Sequence, residues 1–135
     1  MLARIKHLYK DNTIAVAIVI TISIVYLSLV KVSGLKPIVS IKHLDKYEHA
    51  LAYFGLMLSW LFVFEKFNKK RIFRFLIVLA VFLFGMLMEL LQQMLTTSRQ
   101  ADVYDVFANT SGIIIAYLVY EKLVFKKFKV FLSQS

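Results

Sequence analysis

The chain has 135 residues, one domain's worth, and 60% of them are hydrophobic. Counting Gly in place of Tyr, to match the usual apolar tally, leaves 78 of 135, still above the ~45–50% of a typical soluble domain. Against 8 acidic residues stand 17 basic ones, a charge of +9; the apolar content, the single Pro and the absence of Cys exclude disorder, collagen-like and disulfide-rich scaffolds, and the lack of Cys excludes thiolate chemistry as well.

The first element runs from Asn12 to Val30, 19 residues without a charge, close to the ~20 that a helix needs to cross ~30 Å of hydrocarbon. The run exceeds a signal-peptide h-region and no Ala-x-Ala site follows, so it reads as a span. Three further apolar runs, Ala50–Phe64, Phe75–Met88 and Val106–Tyr120, hold 15, 14 and 15 uncharged residues. Each is too short to cross alone. The second reaches membrane length by starting near Tyr47 and including Glu48 and His49, and the third by running to Leu95 across Glu89 and Gln92. The fourth does so by starting near Asp102 and taking in Asp105 and Asn109. Closed barrels show ~10-residue alternating segments instead. The expected fold is therefore all-α, a single-domain four-helix membrane bundle with spans near 12–32, 47–64, 75–95 and 104–124.

Orientation follows from Lys and Arg. The N-terminal tail (Arg4, Lys6, Lys10), the second loop (Lys66, Lys69, Lys70, Arg71, Arg74) and the C-terminal end (Lys122, Lys126, Lys127, Lys129) put twelve on one side. The other side has five: Lys31, Lys36, Lys42, Lys46 and Arg99. The positive-inside rule places both termini in the cytoplasm. The Lys69–Arg74 cluster reads as a topology signal that binds anionic lipid at ~1 kcal/mol per charge, not as a nucleic-acid patch.

Polar residues inside the spans fall in one layer. His49 is 15 residues from Phe64, Glu89 is 14 from Phe75 and Asn109 is 16 from Phe125, which at ~1.5 Å per residue gives depths of roughly 22, 21 and 24 Å. Gln92 lies nearer the outer water and Tyr53 deeper. On the fourth helix Asp102, Asp105, Asn109 and Gly112 share a face; Gly85, Glu89 and Gln92 do so on the third, and Lys46, His49 and Tyr53 on the second. Gly55 and Ser59, and Ala108, Gly112 and Ala116, follow the small-xxx-small spacing that permits close helix approach in lipid.

The layer admits two readings. In one, Arg99 pairs with a carboxylate, His49 bonds Asn109 across helices, and the groups lock the bundle. In the other they form a site for a substrate or ion. A charge near the bilayer centre costs ~2.5–3.5 kcal/mol, against ~0.6 kcal/mol for an interhelical polar bond, which favours the site.

Three blocks carry a family resemblance: Asp45-Lys46-x-x-His49-x-x-x-Tyr53, Gly85-x-x-x-Glu89-x-x-Gln92, and Arg99-x-x-Asp102-x-x-Asp105-x-x-x-Asn109-x-x-Gly112. In order and spacing they resemble the signature of VanZ-like membrane proteins over about half the chain. Ala116 stands where the family often has Gly, and no Pro precedes Arg99. The resemblance implies a multi-pass protein of the bacterial cytoplasmic membrane, of a type whose namesake is associated with low-level teicoplanin resistance.

The leading expectation is a binding module for an amphiphile or lipid headgroup in the outer leaflet that modulates lipoglycopeptide susceptibility. Lys46 and Arg99 would meet an anionic group, such as that of a lipid-linked precursor, while His49, Glu89, Asp102 and Asp105 would bond it or hold a divalent cation. The second is an enzyme on a lipid-linked substrate, with His49 as general acid/base and carboxylates as base or Mg²⁺ ligands. The third, proton or ion transport, requires four-helix units to oligomerise. No phosphatase, transferase or hydrolase motif appears.

Overall fold

The computed structural model describes residues 2–29, 44–67, 70–95 and 102–124, with side chains described for 12–29, 44–67, 70–95 and 102–122. These form four helices: α1 (Leu2–Leu29), α2 (Leu44–Glu65), α3 (Arg71–Leu95) and α4 (Val103–Val119), the last continued by a π-helical turn at Tyr120–Val124. No strand occurs among the described residues. All four helices are long and apolar enough to cross a membrane, over Asn12–Leu29, Leu44–Glu65, Arg71–Leu95 and Val103–Lys122.

The helices begin earlier than apolar runs alone indicate. α1 extends back to Leu2 because neither Gly nor Pro interrupts residues 2–11, and α2 takes Asp45 into its first turn, where a carboxylate favours the positive end of the helix dipole. α3 begins at Arg71, before the expected 75. Asp102 caps α4, its side chain accepting the Tyr104 amide at 2.9 Å.

Lipid as solvent explains the distribution of side chains. Val16, Val19, Ile22, Leu79, Leu83, Leu87, Phe107, Ile114 and Leu118 face outward, while Glu65, Arg74, Glu89, Gln92 and Asn109 are buried. A water-soluble bundle would reverse this. The apolar core is Tyr53, Leu56, Met57 and Leu61 of α2 with Ile77, Val81, Ile113, Ala116 and Tyr120. α2 and α3 each pack against the other three helices, with α1 and α4 on opposite sides of that pair.

Helices α2 and α4 run parallel and meet most closely at Gly112. A Cβ there would overlap the Ala50 carbonyl oxygen and lie 2.9 Å from its carbon and 3.0 Å from the Phe54 amide nitrogen. Gly85 likewise makes room for the Tyr53 ring, 3.0 Å from where its Cβ would be. Gly55 plays no such part, since a Cβ there meets nothing within 4 Å. The small-residue contact therefore uses Gly112 and Ala116 of α4 but not Gly55 of α2.

The reading of Lys69–Arg74 as a lipid-binding cluster needs correction at Arg74, which is 7% exposed. Its Nε lies 2.7 Å from Glu121 Oε1, and its Nη1 3.9 Å from Glu65 Oε2. Tyr120 bonds the Glu65 carboxylate and sets its ring edge-on to Phe62 at 5.5 Å. A π turn widens the helix, so the adjacent Tyr120 and Glu121 can both reach this cluster. Burial of a guanidinium between two carboxylates outweighs its attraction to headgroups.

Candidate functional site

The parallel register of α2 and α4, fixed by Gly112 against Ala50, sets the first turns of both helices side by side at one end of the bundle. There Lys46 faces three carboxylates. Its Nζ lies 2.9 Å from Asp45 and 2.6 Å from Asp102, and it also donates to Asp105 Oδ1. One lysine is thus encircled by acids, all three of which lie near the positive ends of helix dipoles. Sequence reasoning assigned Lys46 to an anionic ligand; here it neutralises the chain's own acids.

One turn deeper a relay of hydrogen bonds joins three helices. Asn109 Nδ2 donates to Glu89 Oε1 at 3.2 Å, and Asn109 Oδ1 lies 3.1 Å from His49 Nδ1. A carboxylate oxygen accepts only, which fixes the amide orientation, so the amide oxygen must be the acceptor from an Nδ1–H of His49. The ring's Nε2 points toward Asp105 Oδ2, 4.0 Å away. Glu89 Oε1 is also 3.7 Å from His49 Nδ1.

The layer is buried at its base. Glu89 is 4% exposed and its Oε2 has no hydrogen-bond partner among the described residues. The same holds for the hydroxyl of Tyr53, which is 2% exposed and within electrostatic reach of Glu89. Its position follows from Gly85, one turn below Glu89 on α3, where any larger side chain would push the ring aside. Gln92 is buried on the same helix face as Glu89, toward the mouth. A buried polar atom without a partner costs ~1–3 kcal/mol. Such atoms beside an acidic mouth suit a ligand that supplies a donor or a cation.

Of the nine residues expected at the site, Lys46, His49, Glu89, Asp102, Asp105 and Asn109 are joined by hydrogen bonds and ion pairs, with Tyr53 below and Gln92 buried on the Glu89 face. Arg99 lies outside the described residues. His49, Glu89 and Asp105 each offer a ligand atom within 4.8 Å of the others, a grouping able to hold a metal ion.

The sequence reading missed the second polar cluster, Glu65–Arg74–Tyr120–Glu121, at the opposite end. A signal was present: Glu65 and Glu121 are acids abutting apolar runs on the side where twelve basic residues gather. On the α1 side of the α2–α3 pair, an apolar groove of about 480 Å³ is lined by Thr21, Leu56, Trp60, Phe73, Ile77 and Phe84, among others. Trp60 Nε1 donates to Thr21 Oγ1 at 3.1 Å along it.

Comparison with known proteins gives one family: the model described as VanZ/LLP1 matches residues 5–126. No curated protein and no solved structure matches.

Proposed function

Because this chain belongs to the VanZ/LLP1 family, we propose that it sits in the bacterial cytoplasmic membrane, both termini inside, binding the polar head of an outer-leaflet amphiphile. The ligand is a lipid headgroup or lipid-linked wall precursor, and its capture modulates lipoglycopeptide susceptibility. One observation carries the reading: a buried carboxylate, Glu89, held by Asn109 on one oxygen and uncommitted on the other among the described residues, beneath the acidic opening between α2 and α4. Oriented by the twelve-to-five distribution of Lys and Arg, this opening faces the outer leaflet.

The charge of the site refines the ligand. Asp45, Glu89, Asp102 and Asp105 outnumber Lys46, which they already engage or surround. Hydroxyl or amine groups of a head would donate to Glu89 and Asp105, while an anionic group would meet Arg99 or a bridging cation.

The test is susceptibility with matched protein levels. Glu89→Gln keeps an acceptor for Asn109 but removes the charge, and it is expected to accumulate in the membrane without changing teicoplanin tolerance as the wild type does. Wild-type tolerance in Glu89→Gln and Asn109→Ala cells would overturn the reading.

A second reading, an enzyme acting on a lipid-linked envelope substrate, draws on the His49 ring oriented by Asn109. With Nδ1 held by Asn109, Nε2 lies 4.0 Å from Asp105 Oδ2, placed to exchange a proton with a substrate. Turnover of a lipid-linked substrate by purified protein, lost in His49→Gln, separates it from binding alone.

A further inference from the structure

We propose that His49, Glu89 and Asp105 bind one first-row divalent metal ion of zinc type, with Asn109 as the positioning residue that holds two of the three ligands. The inference rests on the site reading above but not on its ligand.

Each of the three side chains has one polar atom engaged and a second without a hydrogen bond among the described residues. Asp105 Oδ1 accepts from Lys46, Glu89 Oε1 accepts from Asn109, and His49 Nδ1 donates to Asn109. That leaves Asp105 Oδ2, Glu89 Oε2 and His49 Nε2 without hydrogen bonds among the described residues, and Glu89 Oε2 is fully buried. A metal-bound imidazole generally donates its other N–H to an oxygen that fixes the ring, and Asn109 does this here while also orienting Glu89. A metal on Nε2 would leave Nδ1–H donating to Asn109 Oδ1, the contact already made in the structure.

Spacing and charge agree. Ligand atoms of the three lie within 4.8 Å of one another, and a Zn²⁺ ion with bonds of about 2.0–2.2 Å would draw them together through small rotations of side chains. Two carboxylates and one imidazole are a borderline donor set, which selects first-row ions over Mg²⁺ or Ca²⁺, whose ligands are oxygens. A divalent ion would balance Glu89 and Asp105, the pair that Lys46 does not fully neutralise. Three protein ligands leave an open position, as in zinc sites that take a water or a substrate oxygen. The phosphate of an amphiphile is one such oxygen source; a water is another.

The experiment uses the full chain in detergent or nanodiscs, stripped with EDTA and titrated with Co²⁺ and then Zn²⁺. Co²⁺ is expected to give the intense visible bands of a four- or five-coordinate protein site at one equivalent, and Zn²⁺ to abolish them. Asn109→Ala, which leaves all three ligands, should weaken Zn²⁺ binding roughly 10–100-fold, and His49→Gln and Glu89→Gln should abolish the bands. Glu65→Gln, in the opposite polar cluster, should leave the titration unchanged. A wild-type protein whose Co²⁺ spectrum stays that of the hydrated ion overturns the metal site without needing any variant to fold. So does binding that survives in both His49→Gln and Glu89→Gln. Lipid co-purification measured on the same EDTA-treated sample separates the two ideas: lipid retained without bands removes only the metal, and bands without lipid remove only the amphiphile.

Discussion

Replacing Gly112 by Ala should unfold the bundle from its tightest contact. A Cβ at this position would overlap the Ala50 carbonyl oxygen and lie 2.9 Å from the carbonyl carbon, whereas carbon atoms in contact prefer about 3.5–4.0 Å. Both neighbours are backbone, so α4 must withdraw from α2 by roughly 0.5–1 Å. The His49–Asn109 and Asn109–Glu89 bonds, at 3.1 and 3.2 Å, then exceed hydrogen-bond range. Overpacking at ~1–3 kcal/mol and two interhelical bonds at ~0.6 kcal/mol each give a loss of about 2–4 kcal/mol. Gly55→Ala is the control. Its Cβ meets nothing within 4 Å, and Ala in a helix gains roughly 0.5–1 kcal/mol over Gly. Unfolding in mixed micelles, followed by circular dichroism, should therefore move in opposite directions for the two variants. Equal effects would refute the packing argument and with it the basis for the α2–α4 register.

Arg74→Ala strands Glu65 and Glu121 in the opposite cluster and should cost ~3–5 kcal/mol by the same unfolding assay, while Arg71→Ala, on the exposed face, should cost under ~1 kcal/mol. Gly85→Ala presses on a ring rather than a backbone and should fall between Gly112→Ala and Gly55→Ala; intrinsic Tyr fluorescence reports displacement of Tyr53. Cysteines placed at Lys36 and Ser98 should react with an impermeant thiol reagent in intact cells while one at Asn68 should not; the reverse pattern would invert the topology. Arg99→Lys and Asp105→Asn should insert normally, since Lys46 retains Asp45 and Asp102, yet fail to change teicoplanin tolerance as the wild type does in broth dilution.

Sequence made the spans and the layer legible for one reason: apolar runs of 14 and 15 residues cannot cross a bilayer without admitting His49, Glu89 and Asn109. Counting residues from the far end then placed these three at one depth, and the structure joins them through bonds of 3.1 and 3.2 Å. What sequence could not supply was partner choice. Lys46 looks available in one dimension, but parallel packing of α2 and α4 surrounds it with Asp45, Asp102 and Asp105. Arg74 looks like one more charge of a basic loop, yet the start of α3 at Arg71 and the π turn after α4 bring Glu65 and Glu121 to it. Gly55 and Gly112 carry the same motif, and only the direction each faces distinguishes a contact from open space.

The measurement that bears most directly on the central claim is a cryo-electron microscopy reconstruction in nanodiscs made from the native lipid extract. The account predicts headgroup density between α2, α3 and α4, within bonding distance of Glu89 and Asp105, and its disappearance in Glu89→Gln. A wild-type layer closed on itself, with Glu89, Asn109 and His49 bonded only to one another and lipid confined to the outer surface, would contradict it.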